Sequence, residues 1–175
     1  MVAEAKSNII LIGMPGSGKS TIGVILAKLT SRGFADTDLL IQTSEGRSLQ
    51  EIVDTDGYMA LRKIEEEILL HLDCRNYVIA TGGSAVYSHA AMERLKKDGF
   101  IIFLDVDIAT LESRIHDFEG RGLAKRPDQT LADLFEERRP LYRKYADSTV
   151  ACAGLTHEEI CVSIVEGWRR WPAHG

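Results

Sequence analysis

The stretch Asn8-Ile9-Ile10-Leu11-Ile12-Gly13-Met14-Pro15-Gly16-Ser17-Gly18-Lys19-Ser20-Thr21 joins a short apolar run to a glycine-rich turn. Residues 8–12 are mostly β-branched and apolar, which predicts a buried strand. Residues 17–27 place Ile22, Ile25 and Leu26 on one side, which predicts a helix. The glycines therefore lie in the connection between a strand and the helix that follows it.

This connection, residues 13–20, matches the pattern G-x-x-x-x-G-K-[ST] in the context that phosphate binding requires. We expect Lys19 to contact the β and γ phosphates of a nucleotide and Ser20 to ligate Mg²⁺. A plain glycine turn before an ordinary helix is the competing interpretation. A dinucleotide loop is disfavoured because Thr21 stands where the third glycine of G-x-G-x-x-G would follow Gly16 and Gly18. The predicted nucleotide-binding residues of the loop are Gly13, Gly16, Ser17, Gly18, Lys19, Ser20 and Thr21.

The rest of the chain alternates between short apolar runs and longer amphipathic segments, which predicts an α/β fold of three layers around a parallel sheet. Further strands are predicted at 33–36, 77–80, 100–104 and 149–151, and helices at 58–72, 88–97, 108–115, 130–145 and 156–168. Ser48 and Glu51 form the capping-box pattern of another helix. Residues 117–129 interrupt the alternation with glycine, proline and basic residues, which predicts a mobile loop. In the segment 58–72 the predicted apolar face consists of Leu61, Ile64, Ile68 and Leu72.

Length and composition exclude several classes of protein. The 175 residues fit one domain, 1–175, and a hydrophobic fraction of 45% predicts a folded core. No apolar run approaches the roughly 20 residues that cross a bilayer, and the first residues lack the basic start of a secretory signal. A net charge of −5 gives no general attraction to nucleic acid, and three cysteines without a paired pattern favour a reducing compartment. We therefore expect a cytoplasmic protein that binds neither nucleic acid nor membranes.

Carboxylates follow two of the predicted strands. Asp36 and Asp38 come directly after the second strand, at the sheet edge where ligands of open α/β folds bind. One could hold Mg²⁺ through water while the other accepts a proton from a substrate hydroxyl, although either could simply cap the next helix. Asp105 follows the strand 100–104 and could instead be the magnesium-linked carboxylate of an ATPase. The N-K-x-D segment of a GTPase is absent.

Several stretches, in order and over nearly the whole chain, resemble the shikimate kinase family. They are Gly13 to Thr21, Asp36-Thr37-Asp38, Gly46-Arg47-Ser48-Leu49-Gln50-Glu51-Ile52, Leu61-Arg62-Lys63-Ile64-Glu65, Thr81-Gly82-Gly83 and Arg138-Arg139-Pro140-Leu141-Tyr142. The resemblance implies a P-loop kinase fold like that of nucleoside-monophosphate kinases, with five parallel strands in the order 2-3-1-4-5. It also implies a substrate-binding helical region at about 38–73 and a mobile lid at about 117–129. The implied reaction is ATP-dependent phosphorylation of shikimate by a small-molecule kinase that uses Mg²⁺.

The resemblance also implies roles for individual residues. Lys19 and Ser20 match the family's phosphate and magnesium residues, Asp36 its outer magnesium carboxylate, and Asp38 the carboxylate that binds the reacting hydroxyl and acts as base. The implied acceptor-binding residues are Asp38, Arg62, Gly82, Gly83 and Arg138, the two arginines gripping a carboxylate. Arg121 matches the lid arginine that completes the catalytic set with Lys19 and Asp38, and Arg114 matches an arginine near adenine. Simpler interpretations are a surface pair of Arg62 with Glu65 or Glu66, and a solvated charged face around Arg138 and Arg139.

The chain departs from the family pattern near the acceptor. Leu61 stands where the family usually has phenylalanine, Ser84 replaces the third of three glycines, and Arg121-Gly122-Leu123-Ala124 replaces an arginine-proline-leucine-leucine stretch. We expect a monomer that acts on ATP and a small anionic hydroxy acid. Shikimate is the expected acceptor, homoserine or gluconate are alternatives, and a nucleotide-dependent regulatory module that uses Asp105 is an alternative of another class.

Overall fold

A parallel sheet of five strands forms the centre of the molecule. The computed structural model describes residues 7–115 and 122–171. The strands lie side by side in the order β2-β3-β1-β4-β5, and every neighbouring pair is parallel. This is the predicted order 2-3-1-4-5. The strands are β1 (Asn8–Ile12), β2 (Gly33–Asp36), β3 (Tyr77–Ala80), β4 (Gly99–Asp105) and β5 (Ser148–Ala151).

Helices connect the strands and cover both faces of the sheet, as parallel strands require. They are α1 (Lys19–Thr30), α2 (Thr37–Glu45), α3 (Leu49–Asp56), α4 (Tyr58–His71), α5 (His89–Asp98), α6 (Ile108–Arg114), α7 (Leu131–Tyr145) and α8 (His157–Arg170). A short 3₁₀ turn, Ala85–Tyr87, follows β3. Within the described ranges, no helix combines the length and the apolar character needed to cross a bilayer.

The register of the sheet brings the ends of three strands together. Ala80 of β3 lies opposite both Leu11 of β1 and Asp36 of β2. Beyond β3, the backbone N–H of Thr81 donates to the carbonyl oxygen of Leu11 at 3.2 Å. The glycine-rich loop, Asp36 and the segment that begins at Thr81 therefore start from one edge of the sheet.

α1 begins two residues later than predicted, and α2 has no predicted counterpart. α1 begins at Lys19 because Gly18, with φ of +90°, lies in the left-handed region that favours glycine. From the sequence, Asp36 and Asp38 are interpreted as ligands or a helix cap, and no separate helix is assigned to the range of α2. Asp36 caps α2 by accepting hydrogen bonds from the backbone N–H groups of Asp38 and Leu39.

The buried face of α4 also differs from the predicted one. The helix buries Leu61, Glu65 and Leu69, while Ile64 and Ile68 are only half-buried. The predicted face is therefore only partly correct: Leu61 is buried as predicted, but the buried face continues through Glu65 and Leu69 at a spacing of four residues. A carboxylate on the buried face is the important consequence, since Glu65 enters the interior of the protein.

Close packing between α1 and the sheet yields a stability prediction. A Cβ on Gly23 would lie 2.5 Å from Cε2 of Phe34 in β2, whereas a Cβ on Gly167 in α8 would meet no atom within 4 Å. We expect Gly23→Ala to lower the free energy of unfolding by about 1–3 kcal/mol because the ring must move. Gly167→Ala should instead raise it by about 0.5–1 kcal/mol, because alanine favours a helix. Urea denaturation measures both, and equal effects of the two substitutions would contradict the packing.

Candidate active site

A cavity of about 430 Å³ opens at the carboxyl edge of the sheet. The start of α1, the first turn of α2, α4, α7 and the segment after β3 all contribute to its wall. The cavity brings together most residues predicted from the sequence. Its lining includes Gly16, Gly18, Lys19, Ser20, Thr21, Asp38, Gly82, Gly83 and Arg138, together with Glu65, Ser84 and residues 122–124.

The glycine-rich loop has the conformation that its sequence predicts. Gly13, Gly16 and Gly18 all have positive φ, at +152°, +79° and +90°. The loop curls around the side chain of Lys19, whose Nζ donates to the carbonyl oxygens of Gly13 at 2.8 Å and Met14 at 2.9 Å. Its backbone geometry thus combines glycine-dependent turns with a cation held in the same loop.

Lys19 is only 8% exposed. Burial lowers the pKa of its ammonium group to about 8, because the charged form loses water, while the nearby carboxylates of Asp38 and Glu65 partly offset this effect. A lysine in this environment responds strongly to anionic groups that enter the cavity. Such a response suits a residue that binds phosphate.

Asp36 has two tasks. Its Oδ1 accepts from the backbone N–H groups of Asp38 at 3.0 Å and Leu39 at 3.4 Å, which caps α2. Its Oδ2 accepts a hydrogen bond of 2.5 Å from the Ser20 hydroxyl. The two interpretations of Asp36 are therefore compatible. A hydroxyl and a carboxylate beside a phosphate loop are oxygen donors of the kind that Mg²⁺ prefers, and among the described residues no cluster of three or more His, Cys, Asp or Glu offers another metal site.

Asp38 lies in the first turn of α2 with its carboxylate in the cavity. A Cβ on Gly82 would lie 2.7 Å from Asp38 Oδ1 and would overlap Oε1 of Glu65. Only glycine at position 82 leaves the space between these two carboxylates open. Burial raises the pKa of Asp38, and the ammonium of Lys19 counteracts part of this rise.

Glu65 is not among the predicted site residues, because the only role that the sequence predicts for it is a surface pair with Arg62. It is 3% exposed, its Oε2 accepts a hydrogen bond from the Ser84 hydroxyl, and its Oε1 is buried without a partner in the described structure. Burial and the neighbouring Asp38 raise the pKa of Glu65 to about 7. A signal was present in the sequence, since Glu65 lies four residues from both Leu61 and Leu69 on one helical face.

Arg138 is 1% exposed, so the predicted alternative of a solvated face around it is wrong. Its Nη2 donates to the carbonyl oxygen of Ala124 at 2.7 Å and its Nε to the hydroxyl of Tyr87 at 3.3 Å. A Cβ on Gly83 would lie 2.8 Å from Arg138 Nη1, so glycine leaves this side of the guanidinium accessible. Arg138 is thus a buried cation in the wall of the cavity.

Arg62 approaches the same point from α4. Its Nη2 donates to the carbonyl oxygen of Ala124 at 3.2 Å, and its guanidinium carbon lies 3.7 Å from the ring centroid of Tyr87. It lines an adjoining cavity of about 350 Å³ together with Ser84 and Tyr87. Arg62 and Arg138 therefore share one carbonyl acceptor, and the predicted alternative of a surface pair with Glu65 is wrong because Glu65 is buried against Ser84.

The described part of the predicted lid begins at Gly122. The backbone N–H of Gly122 donates to Oε1 of Gln50 at 2.6 Å, and φ of +60° favours glycine there. A Cβ at this position would overlap the backbone of Leu49 and Gln50, so the segment lies directly against α3. The predicted catalytic residue Arg121 falls outside the described residues, and the mobility of 117–129 stays a prediction.

Arg114 lies at the end of α6, where its Nη1 donates to the carbonyl oxygen of Gly16 at 3.3 Å. This places a guanidinium beside the glycine-rich loop, as expected for a residue near a nucleotide. Asp105, the alternative magnesium carboxylate, is bound by Arg139 through hydrogen bonds of 3.1 and 2.9 Å and by Arg143 at 3.3 Å. The alternative role of Asp105 is therefore not supported, because arginine donors occupy both of its oxygens.

Comparison with known proteins agrees with this site. The sequence profile described as shikimate kinase matches residues 15–168. A shikimate kinase of Rippkaea orientalis is 42% identical over 91% of this chain and 86% of its own length. One of Thermodesulfovibrio yellowstonii is 36% identical over 93% of this chain and 95% of its own. The structure of the Acinetobacter baumannii shikimate kinase in complex with shikimate superposes with a TM-score of 0.86 at 29% identity, covering 95% of this chain and 96% of that one. The chain belongs to the shikimate kinase family.

Proposed function

We propose that this protein transfers the γ-phosphoryl group of ATP to a hydroxyl group of shikimate, which forms shikimate 3-phosphate. The observation that carries the proposal is the presence of Lys19, Asp38 and Arg138 in one cavity of about 430 Å³. These residues offer a phosphate-binding cation, a proton acceptor and a carboxylate-binding cation. Family membership and the likeness to a shikimate-bound kinase of Acinetobacter baumannii support the same reaction.

On the nucleotide side, the loop of residues 13–20 and the start of α1 bind the phosphates of ATP. Backbone N–H groups from Gly16 to Thr21 surround the phosphates, and Lys19 exchanges its carbonyl acceptors for β and γ oxygens. Arg114 lies next to the loop at Gly16, which supports a role beside the nucleotide. These contacts hold the triphosphate so that its γ-phosphoryl group faces the cavity.

Ser20 and Asp36 would hold the magnesium ion that accompanies ATP. Their contact supports this assignment, because two hard oxygen donors already lie together at the start of α1. When bound, magnesium neutralises charge on the β and γ phosphates. The cap on α2 keeps the Asp36 carboxylate in place.

On the acceptor side, Arg62 and Arg138 bind the carboxylate of shikimate. The guanidinium groups converge on one oxygen atom, that of Ala124, which supports their convergence on an anionic ligand. Gly82 and Gly83 leave room for the ring next to Asp38 and Arg138. Leu61 packs with Ile41, Ile52 and Ala124 and forms an apolar wall in place of the family's phenylalanine.

The chemical step is an in-line displacement. An acceptor hydroxyl oxygen forms a bond to the γ-phosphorus, the bond from that phosphorus to the β–γ bridging oxygen breaks, and ADP leaves with its electron pair. Asp38 accepts the hydroxyl proton, for which its raised pKa is suited. Lys19 offsets negative charge on the phosphoryl group. The family resemblance assigns a similar task to Arg121, and that role stays a prediction.

A single chain supplies every residue that this reaction uses, which supports a monomer as the working unit. The cysteines of the described residues, Cys74, Cys152 and Cys161, are unpaired, which supports a reducing, cytoplasmic location.

We expect purified protein with ATP and Mg²⁺ to release ADP much faster when shikimate is added than without an acceptor. Homoserine and gluconate, tested in parallel, should give no comparable stimulation, and mass spectrometry should detect phosphorylated shikimate. Stimulation by gluconate or homoserine alone would reassign the acceptor and retain the kinase. Slow ATP hydrolysis that ignores every acceptor would favour the regulatory module.

Asp38→Asn should lower kcat by about 10²- to 10⁴-fold, because an amide keeps the shape of the side chain but cannot accept the hydroxyl proton. Asp54→Asn on the exposed face of α3 is the matched control and should keep the wild-type rate, because asparagine retains an oxygen that can accept from Nε2 of Gln50. Steady-state kinetics and thermal unfolding of both variants separate a catalytic loss from a folding defect. Full activity of Asp38→Asn would remove the assigned base.

Substitutions of two neighbouring arginines on α7 test the proposed binding of the shikimate carboxylate. Arg138→Lys should raise the KM for shikimate by about 10- to 100-fold and change the KM for ATP little, because lysine loses the planar set of donors. Arg139→Lys, which affects the contact with Asp105 outside the cavity, should leave both KM values near wild type. An equal effect of the two substitutions on shikimate would argue against the site.

A further inference from the structure

Ser84 and Glu65 form a buried pair in the wall of the acceptor cavity. Both side chains are less than a tenth exposed, and both line the cavity that contains Asp38 and Lys19. The Ser84 hydroxyl donates to Oε2 of Glu65. A glycine at position 84 would offer no such donor, so the departure of this chain from the family pattern creates the contact.

The second oxygen of Glu65 distinguishes this pair from an ordinary buried hydrogen bond. Oε1 is buried and has no hydrogen-bond partner within the described structure. A Cβ on Gly82 would overlap this atom while lying 2.7 Å from Oδ1 of Asp38, so both oxygens border the same small space. Buried acceptors without a partner are rare in folded proteins because they lose the hydrogen bonds of water. A ligand with hydroxyl groups would supply the missing donor.

We propose that Ser84 is a positioning residue for the transfer: its hydroxyl fixes one oxygen of Glu65, so that the other is presented to a hydroxyl group of the acceptor beside Asp38. This inference rests on the kinase reaction proposed above. Asp38 contacts the hydroxyl that reacts, whereas Glu65 contacts a neighbouring hydroxyl and orients the ring. The pair therefore selects acceptors that carry hydroxyl groups on adjacent carbons.

The charges around Glu65 make the contact sensitive to pH. Asp38 of α2 faces it as a like charge, while Lys19 of α1 and Arg138 of α7 face it as cations, and the hydroxyl of Tyr142 lies on the same side of α7. Burial raises the pKa of Glu65 to about 7, and the hydrogen bond from Ser84 limits the rise. The ionised form, which accepts hydrogen bonds with both oxygens, therefore predominates only above neutral pH.

Removal of the hydroxyl should raise the pKa of Glu65 further. In Ser84→Ala, the acidic limb of kcat/KM for shikimate should move to higher pH by about half to one unit, the size of one hydrogen bond to a carboxylate. The loss should be about 3- to 10-fold near pH 6 and should disappear near pH 9, where Glu65 is ionised in both proteins. Ser84→Thr keeps a hydroxyl and should restore the wild-type profile.

A titration without substrate measures the same contact directly. Carbon-13 NMR of protein labelled at glutamate side-chain carboxyls, assigned with Glu65→Gln, should show a higher pKa for Glu65 in Ser84→Ala than in wild type. Ser88→Ala is the matched control, since Ser88 caps α5 through the backbone N–H of Ala91. It should lower stability and leave both the titration and the pH profile unchanged.

The outcomes distinguish this inference from the proposed function. Superimposed pH profiles of active wild type and Ser84→Ala would overturn the role of Ser84, whatever the NMR titration shows. An acidic limb that still shifts on Ser84→Ala in a Glu65→Gln background would also overturn it, because the effect would not pass through Glu65. A wild-type protein that ignores shikimate and every other acceptor would overturn the kinase reaction itself.

Discussion

The site is built on the mutual neutralisation of charges that the fold removes from water. Lys19, Asp38, Glu65 and Arg138 border one cavity, and each comes from a different helix. An isolated buried charge is unfavourable by several kcal/mol, and Lys19, Glu65 and Arg138 are each less than a tenth exposed. Two cations and two carboxylates together make the burial tolerable. The relative positions of α1, α2, α4 and α7 are therefore constrained by electrostatics as well as by apolar packing.

The strand order determines which residues join this cluster. Because β1 lies between β3 and β4, the phosphate loop after β1 and the glycine turn after β3 start side by side. β2 continues directly into α2 at Asp36, whose carboxylate reaches back to Ser20 of α1. One short hydrogen bond thus connects the capped end of α2 to the nucleotide side. The acceptor side, with Glu65 and Arg138, belongs to helices that lie further along the chain.

The sequence was most informative where local chemistry determines structure. Glycines at positions that need positive φ, and a lysine at fixed spacing from them, predicted the phosphate loop and the strand before it. The burial of Glu65 could not be predicted, because burial depends on which side of α4 faces the core and the apolar residues Ile64 and Ile68 indicate a different side from Glu65. The contact of Arg62 and Arg138 with one carbonyl oxygen could not be predicted from the sequence, because every residue has a backbone carbonyl group. Long-range contacts of the main chain need the fold itself.

The carbonyl of Ala124 gives the two arginines a second significance. The guanidinium groups proposed for the acceptor carboxylate also hold the segment that rests on α3. The segment 122–124 and a bound acceptor would use the same guanidinium donors. The free energy of docking the segment and the free energy of binding the acceptor are therefore linked. This linkage is reciprocal. If docking of residues 122–124 on α3 changes the acceptor affinity by some factor, a bound acceptor changes the docking equilibrium by the same factor. If the two arginines bind the acceptor as proposed, a substitution in the segment 122–124 changes acceptor affinity even where it touches no acceptor atom.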